Sequence, residues 1–329
     1  MKAITRKNVI LKEELFMKAP KYDIMGNERL PFLSKYLMGT SGGMWTLNFM
    51  MIQTYLLFIY TDVFKISAAY VAVLFLVTRI VDAVLAPVMG IFVDATRTPW
   101  GKYKPYFIIL GVPFAIAGFF TFTDPTLFFW GISETGKLIY ATITYVIFST
   151  LYSLTGAASG GVGNLMTKSL DDRINMGQIN AIASMIAGIL VTAGVTPIVI
   201  ALGGSTSSAI GWMIVMGIIS AITIIYNITG AFVYKEKYLI ENVKKEKLTP
   251  KQMGTVIFKN RTALIGLALI LGLNLGGGIR SGAMLYYFQY YFNMPALMTI
   301  IGLAGLIATI GGTVVSGVLT RKFGLKNTM

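Results

Sequence analysis

An all-helical protein that crosses a membrane several times is the fold class this sequence predicts, and three observations predict it. Of its 329 residues, 55% are hydrophobic and only 13% are charged, about half the charge of an ordinary soluble domain. The apolar residues gather into eight stretches, each long enough as a helix to cross a hydrocarbon core of about 30 Å. The basic residues sort into alternate connections between those stretches, which is the asymmetry that fixes orientation in a membrane.

Residues 1–34 are polar and mixed in charge, with Lys2, Arg6, Lys7 and Lys12 against Glu13, Glu14, Asp23 and Glu28. No apolar run with a small-residue cleavage site follows, so this stretch reads as a cytoplasmic tail and not a signal peptide. Helices are predicted at Lys35–Tyr60, Ser67–Val93, Pro105–Thr123, Leu138–Met166, Gly177–Leu202 and Ala209–Val233, a six-helix bundle over 35–233. A basic cytoplasmic loop, 234–261, carries Lys244, Lys245 and Lys247. Two more helices, Thr262–Phe292 and Pro295–Thr320, form a partial second bundle over 262–329. Glycines and prolines inside the spans, such as Gly39, Gly42, Gly43 and Pro197, are tolerated where a neighbouring helix satisfies the freed backbone.

Of the 28 Lys and Arg residues, 24 lie in the tail and in the connections on the same side. Only Lys65 and Lys137 fall on the other side, and Arg79 and Arg280 lie inside spans. Both termini are therefore expected in the cytoplasm, with the protein in the inner (plasma) membrane. The net charge of +14 reads as topology and not as nucleic-acid binding, with attraction to anionic lipid as a consequence. The chain has no cysteine and no histidine. That removes disulfides, thiolate chemistry and the commonest general base and metal ligand. No catalytic residue, metal site or organic cofactor is expected, and the protein is not read as an enzyme.

The stretch from Ser67 to Tyr106 organises the rest. As a helix, its first 28 residues span about 42 Å. Arg79 and Asp82 sit in the middle, three apart and so on one face. Each would cost about 2.5–3.5 kcal/mol at the centre of a bilayer, which marks them as functional candidates. Two readings stay open: a carboxylate that binds a cation or proton with Arg79 tuning its charge, or a structural ion pair. Arg280 is a second cation within the spans, expected to face Asp82 or an anionic ligand. The turn after the helix holds Asp94, Arg97, Gly101, Lys102 and Lys104. It reads as a charged latch that breaks and reforms with shape change, or as a rigid turn. Polar and aromatic residues inside the spans include Trp45, Thr46, Asn48, Tyr152, Asn274, Tyr286 and Gln289. Rings with amides and hydroxyls suit sugars, whose faces are apolar and whose edges are polar. The same residue types also serve as interface belts and helix joints.

Four motifs carry a family resemblance: Tyr60-Thr61-Asp62-Val63; Arg79-Ile80-Val81-Asp82; Arg97 through Tyr106; and Gly278-Ile279-Arg280 through Tyr290. Here the chain resembles the glycoside–pentoside–hexuronide:cation symporters, the melibiose-permease relatives of the major facilitator superfamily. The resemblance implies twelve helices in two bundles around a central sugar site. It also implies Asp82 at the coupling position and a cytoplasmic gating motif in the turn that follows. The sodium-coupled members carry a second acidic residue one turn after Asp82, where this chain has Ala86. A proton is therefore the expected coupling ion, with sodium or uncoupled transport as the other candidates. The resemblance further implies that the last four helices are lacking. The expected function is a secondary symporter of a sugar or glycoside working by alternating access. The alternative is a truncated, non-transporting membrane paralogue or a sensor or partner subunit. Oligomeric state is not legible.

Overall fold

The computed structural model describes residues 29–96, 98–99, 103–159, 165–235, 260–305 and 307–308. These residues fold into helices joined by short turns, with no β-strand among them. Among the described residues, four helices are long and apolar enough to cross a membrane: Lys104–Thr121, Glu134–Gly156, Asp171–Gly203 and Ala209–Val233. They are the third to sixth predicted spans. The second span is one continuous helix, Ala68–Ala95. The seventh runs from Arg261 to Tyr286 and continues as a π-helical turn, Tyr287–Tyr291. The eighth is described as a helix over 297–305 and 307–308, so the count of six plus two remains an expectation. The tail to residue 28 and most of the basic loop lie outside the described residues.

The first span is segmented. Phe32–Gly39 and Ser41–Met51 are α-helical, and π-helical turns follow at Ile52–Leu56 and Ile59–Val63. It begins three residues before the expected Lys35, directly after Pro31 at the cap. The fifth span begins at Leu170, seven residues before the expected Gly177. Ser169 caps it by accepting from the Asp172 backbone N–H, and Asp171 and Asp172 occupy the first turn. Acidic residues there are favoured by the positive end of the helix dipole. The span ends at Gly203, where Gly204 takes a left-handed φ of 78°, the usual glycine stop.

Small residues let the first span lie close against the fifth. A Cβ built on Gly39 would stand 2.9 Å from Ile179, one on Gly42 would overlap the Asn180 amide, and one on Gly43 would stand 2.9 Å from Ala183. This is the small-xxx-small packing of membrane helices, where dispersion replaces the hydrophobic effect as the attractive force. The third and sixth spans approach in the same way at Gly111 and Asn227. The shared core centres on the first span: Tyr55, Phe58, Tyr60 and Phe64 pack with Phe148, Trp212, Leu285 and Phe288. Its polar tips are paired, as they must be without water. Trp212 Nε1 donates to the Thr206 carbonyl at 2.7 Å, and Tyr55 Oη donates to the Val191 carbonyl at 2.9 Å. The outward faces are apolar instead, with Leu76, Ile80, Ile218, Ile222 and Ile225 exposed. Apolar side chains pointing outward are what a lipid solvent selects.

At the amino end of the first span, ion pairs tie it to the start of the fifth. Lys35 Nζ lies 2.9 Å from Asp172 Oδ1, and the Leu30 N–H donates to Asp172 Oδ2 at 2.6 Å. Arg29 pairs with Asp171 at 3.2 Å. Asp172 is fully buried, so the two donors offset its desolvation.

Candidate functional site

The second span carries Asp82 inward against the fourth. Asp82 is buried, and Ser149 Oγ donates to its Oδ2 at 2.5 Å. Arg79 lies 3.8 Å from the same oxygen, with its own side chain 47% exposed. Asp82 Oδ1 is buried with no hydrogen-bond partner among the described residues. The pair expected from the i, i+3 spacing therefore exists, but it is loose, and the stronger contact is Ser149. Sequence reasoning missed Ser149 because its role depends on the register between two spans. The other expected partner, Arg280, is exposed and makes no ion pair among the described residues. Among the described residues its helix packs chiefly on the first span, against Ile52–Leu56.

The aromatic candidates converge near one end of this region. Trp45 and Tyr152 meet edge to face with centroids 4.3 Å apart, and Phe49 and Phe114 stack around them. Gly156 leaves room for the indole, since a Cβ there would lie 3.2 Å from it. A cavity of about 40 Å³ opens beside Trp45, lined by Met44, Phe114, Thr155, Thr223 and Asn227 among others. That volume holds water and not a sugar. Asn48 is fully buried, and its Nδ2 donates to Thr223 Oγ1 at 3.1 Å and to the Met44 carbonyl at 3.0 Å. Its Oδ1 has no partner among the described residues. Asn48 thus joins the first span to the sixth. Thr46 is half-buried and faces Gly188 of the fifth span.

Two further candidates lie elsewhere. Tyr286 Oη is 2.5 Å from Thr61 Oγ1, and Gln289 Oε1 accepts from Thr206 Oγ1 at 3.0 Å. Both bonds are at the opposite end of the first span from Trp45, and both join the seventh span to the rest. The side chains of Asn274 and Asp94 lie outside the described residues, as do Arg97, Gly101 and Lys102. Lys104 opens the third span and is half-buried. A hydrogen bond between Thr96 and Tyr106 ties the two arms of the turn together.

Comparison with known proteins follows the same lines. The sequence profile of the family described as MFS/sugar transport protein matches residues 37–329. The chain is 30% identical over 313 residues to the isoprimeverose transporter of Lactiplantibacillus pentosus, covering 93% of this chain and 63% of that protein. It is 30% identical over 278 residues to a putative glycoside/cation symporter of Escherichia coli, covering 82% and 56%. It is 28% identical over 248 residues to the lactose permease of Lactobacillus helveticus, covering 73% and 38%. The chain spans less than two thirds of the length of these relatives. Helical throughout its described residues, apolar on its outer faces and matched over nearly all its described length, the chain belongs to the MFS/sugar transport protein family of multi-pass membrane transporters, in agreement with its resemblance to the glycoside–pentoside–hexuronide:cation symporters.

Proposed function

We propose that this chain serves secondary transport of a sugar or glycoside, with Asp82 as the group that takes the coupling ion. The observation that carries the reading is the state of Asp82. A buried carboxylate in a long apolar helix, with one oxygen lacking any partner among the described residues, is costly unless something binds there. The relatives named for transport of isoprimeverose, lactose or glycosides support a sugar as the solute. A proton fits this carboxylate better than sodium. Hard cations are held by several oxygens, whereas among the described residues the hydroxyl bonded to Asp82 is that of Ser149. A proton requires a single oxygen.

Trp45 and Tyr152 remain the substrate-facing candidates, as an edge-to-face aromatic pair inside the bundle of the kind that suits a sugar's apolar face. Asn48 serves the helix joint, and Thr46 faces the fifth span. Tyr286 and Gln289 are assigned to closure of the bundle, since their polar atoms are already bonded across it. Arg79 keeps its role as electrostatic partner of Asp82, and Arg280 is free to meet an anionic group. Alternating access follows from rocking one bundle against the other around a midplane site. The chain is placed in the plasma membrane with its amino terminus cytoplasmic.

The test is uptake into proteoliposomes, with a panel of labelled glycosides and pentosides and an imposed pH gradient. Asp82→Asn is expected to abolish accumulation against a gradient while sparing downhill exchange. Accumulation that persists in this variant overturns the coupling role. Accumulation that follows a sodium gradient and ignores pH overturns the choice of ion.

A further inference from the structure

We propose that Asp62 is a gating residue whose carboxylate holds the first and seventh spans together at the end remote from the amino-terminal tail. Both helices leave α geometry there. The first winds as a π-helix over Ile59–Val63 and the seventh over Tyr287–Tyr291. A π-turn inserts an extra residue and re-aims the side chains beside it, and such turns recur at functional sites. Here the two altered turns face each other.

The hydrogen bonds converge on one acceptor. Tyr290 Oη donates to Asp62 Oδ1. Thr61 Oγ1 donates to Asp62 Oδ2 at 2.7 Å. The Thr61 hydroxyl also reaches the Leu57 carbonyl at 3.1 Å and lies 2.5 Å from Tyr286 Oη, a bond in which either hydroxyl can donate. Two phenols of the seventh span are thus wired to one carboxylate of the first, one directly and one through a hydroxyl. Other bonds extend the seam at the same end. Thr206 donates to Gln289, and Thr299 of the eighth span donates to the Ala193 carbonyl of the fifth at 2.9 Å. Phe58 packs edge to face on Tyr286, with centroids 5.6 Å apart.

The exposure of this cluster separates it from a structural joint. Tyr290 is 67% exposed and Asp62 only half-buried. Bonds to an accessible carboxylate are screened and modest, so they can break without water-free orphans being left behind. The carboxylate is acceptor-only, and no lysine or arginine pairs with it among the described residues. Its hold on the seventh span therefore comes from the two phenols. This role rests on the alternating-access reading above, in which the same seam must open during each cycle.

The absence of native cysteine makes a direct test available. Gln53 lies beside Gly278 of the seventh span, nine residues before Asp62, or about 13 Å along the helix. In the Gln53→Cys background, labelling by a membrane-impermeant maleimide is timed in right-side-out and in inverted vesicles. Asp62→Asn and Tyr290→Phe are each expected to speed labelling from the latch side about fivefold, and Asp62→Glu is expected to restore slow labelling. A rate unchanged in both Asp62→Asn and Tyr290→Phe overturns the proposal. If Asp62→Asn fails to insert, Tyr290→Phe decides, because it removes one hydroxyl and no charge. Labelling needs neither solute nor ion. A chain that shows latch-dependent labelling but no uptake keeps the gate and loses the transporter reading. Faster labelling in inverted vesicles keeps the gate and reverses the orientation.

Discussion

Replacing Gly43 with alanine is expected to loosen the first span from the fifth, although alanine is the better helix former. The added Cβ would stand 2.9 Å from Ala183 Cβ, 2.9 Å from the Ala183 carbonyl oxygen and 3.0 Å from its carbon. Non-bonded carbons settle at about 3.5–4.0 Å. Two of the three obstructing atoms are backbone, and the third is a methyl with no rotamer to change, so the helices must part by about 0.5–1 Å. Such overpacking costs about 1–3 kcal/mol, against about 1 kcal/mol gained in helix propensity. The net loss is up to about 2 kcal/mol, and the parting also weakens the contacts at Gly39 and Gly42. Gly177→Ala is the control: it lies in the fifth span, and a Cβ added there would meet no atom within 4 Å. There the propensity gain stands alone, and stability should rise by up to about 1 kcal/mol. The assay is thermal melting in detergent, read as the fraction of monodisperse protein surviving each temperature. Melting of Gly43→Ala at or above Gly177→Ala would refute the reasoning, since it would mean that close backbone approach contributes nothing here.

Two other predictions concern pairing. Asp172→Ala removes the acceptor for Lys35 and for the Leu30 N–H; breaking one side of a buried pair costs about 3 kcal/mol or more. The double variant Lys35→Met with Asp172→Ala should melt no lower than Asp172→Ala alone, because the unpaired cation is gone; additive losses in the same melts would show that the pair is not coupled. Trp212→Phe keeps most of the ring volume but leaves the Thr206 carbonyl without its indole donor. It should lower stability by about 1–2 kcal/mol, whereas a melt within error of the parent would indicate that Thr206 finds another donor.

The third to sixth spans were legible because lipid imposes a demand that each residue meets locally: a long apolar run declares itself without knowledge of its neighbours. The start of the fifth span was less so. Leu170 to Met176 is polar, and hydropathy placed the boundary at Gly177. The signal was in chemistry instead, in Ser169 followed by Asp171 and Asp172, a cap with acidic residues in the first turn. The π-turns left no comparable mark, because winding responds to what the helix packs against. The same division separates the site residues. Asp82 stood out because a carboxylate in mid-span is costly wherever its partners lie. Ser149 did not, because a serine in a membrane helix costs little and its meaning comes from facing Asp82. Tyr286 and Gln289 were selected by residue type, yet their bonds to Thr61 and Thr206 turn on the register of the seventh span against its neighbours. Asp62 lay near a span end, where a charge needs no explanation. Only the approach of the seventh span brings one phenol onto its carboxylate and a second onto the hydroxyl beside it, and gives it a task.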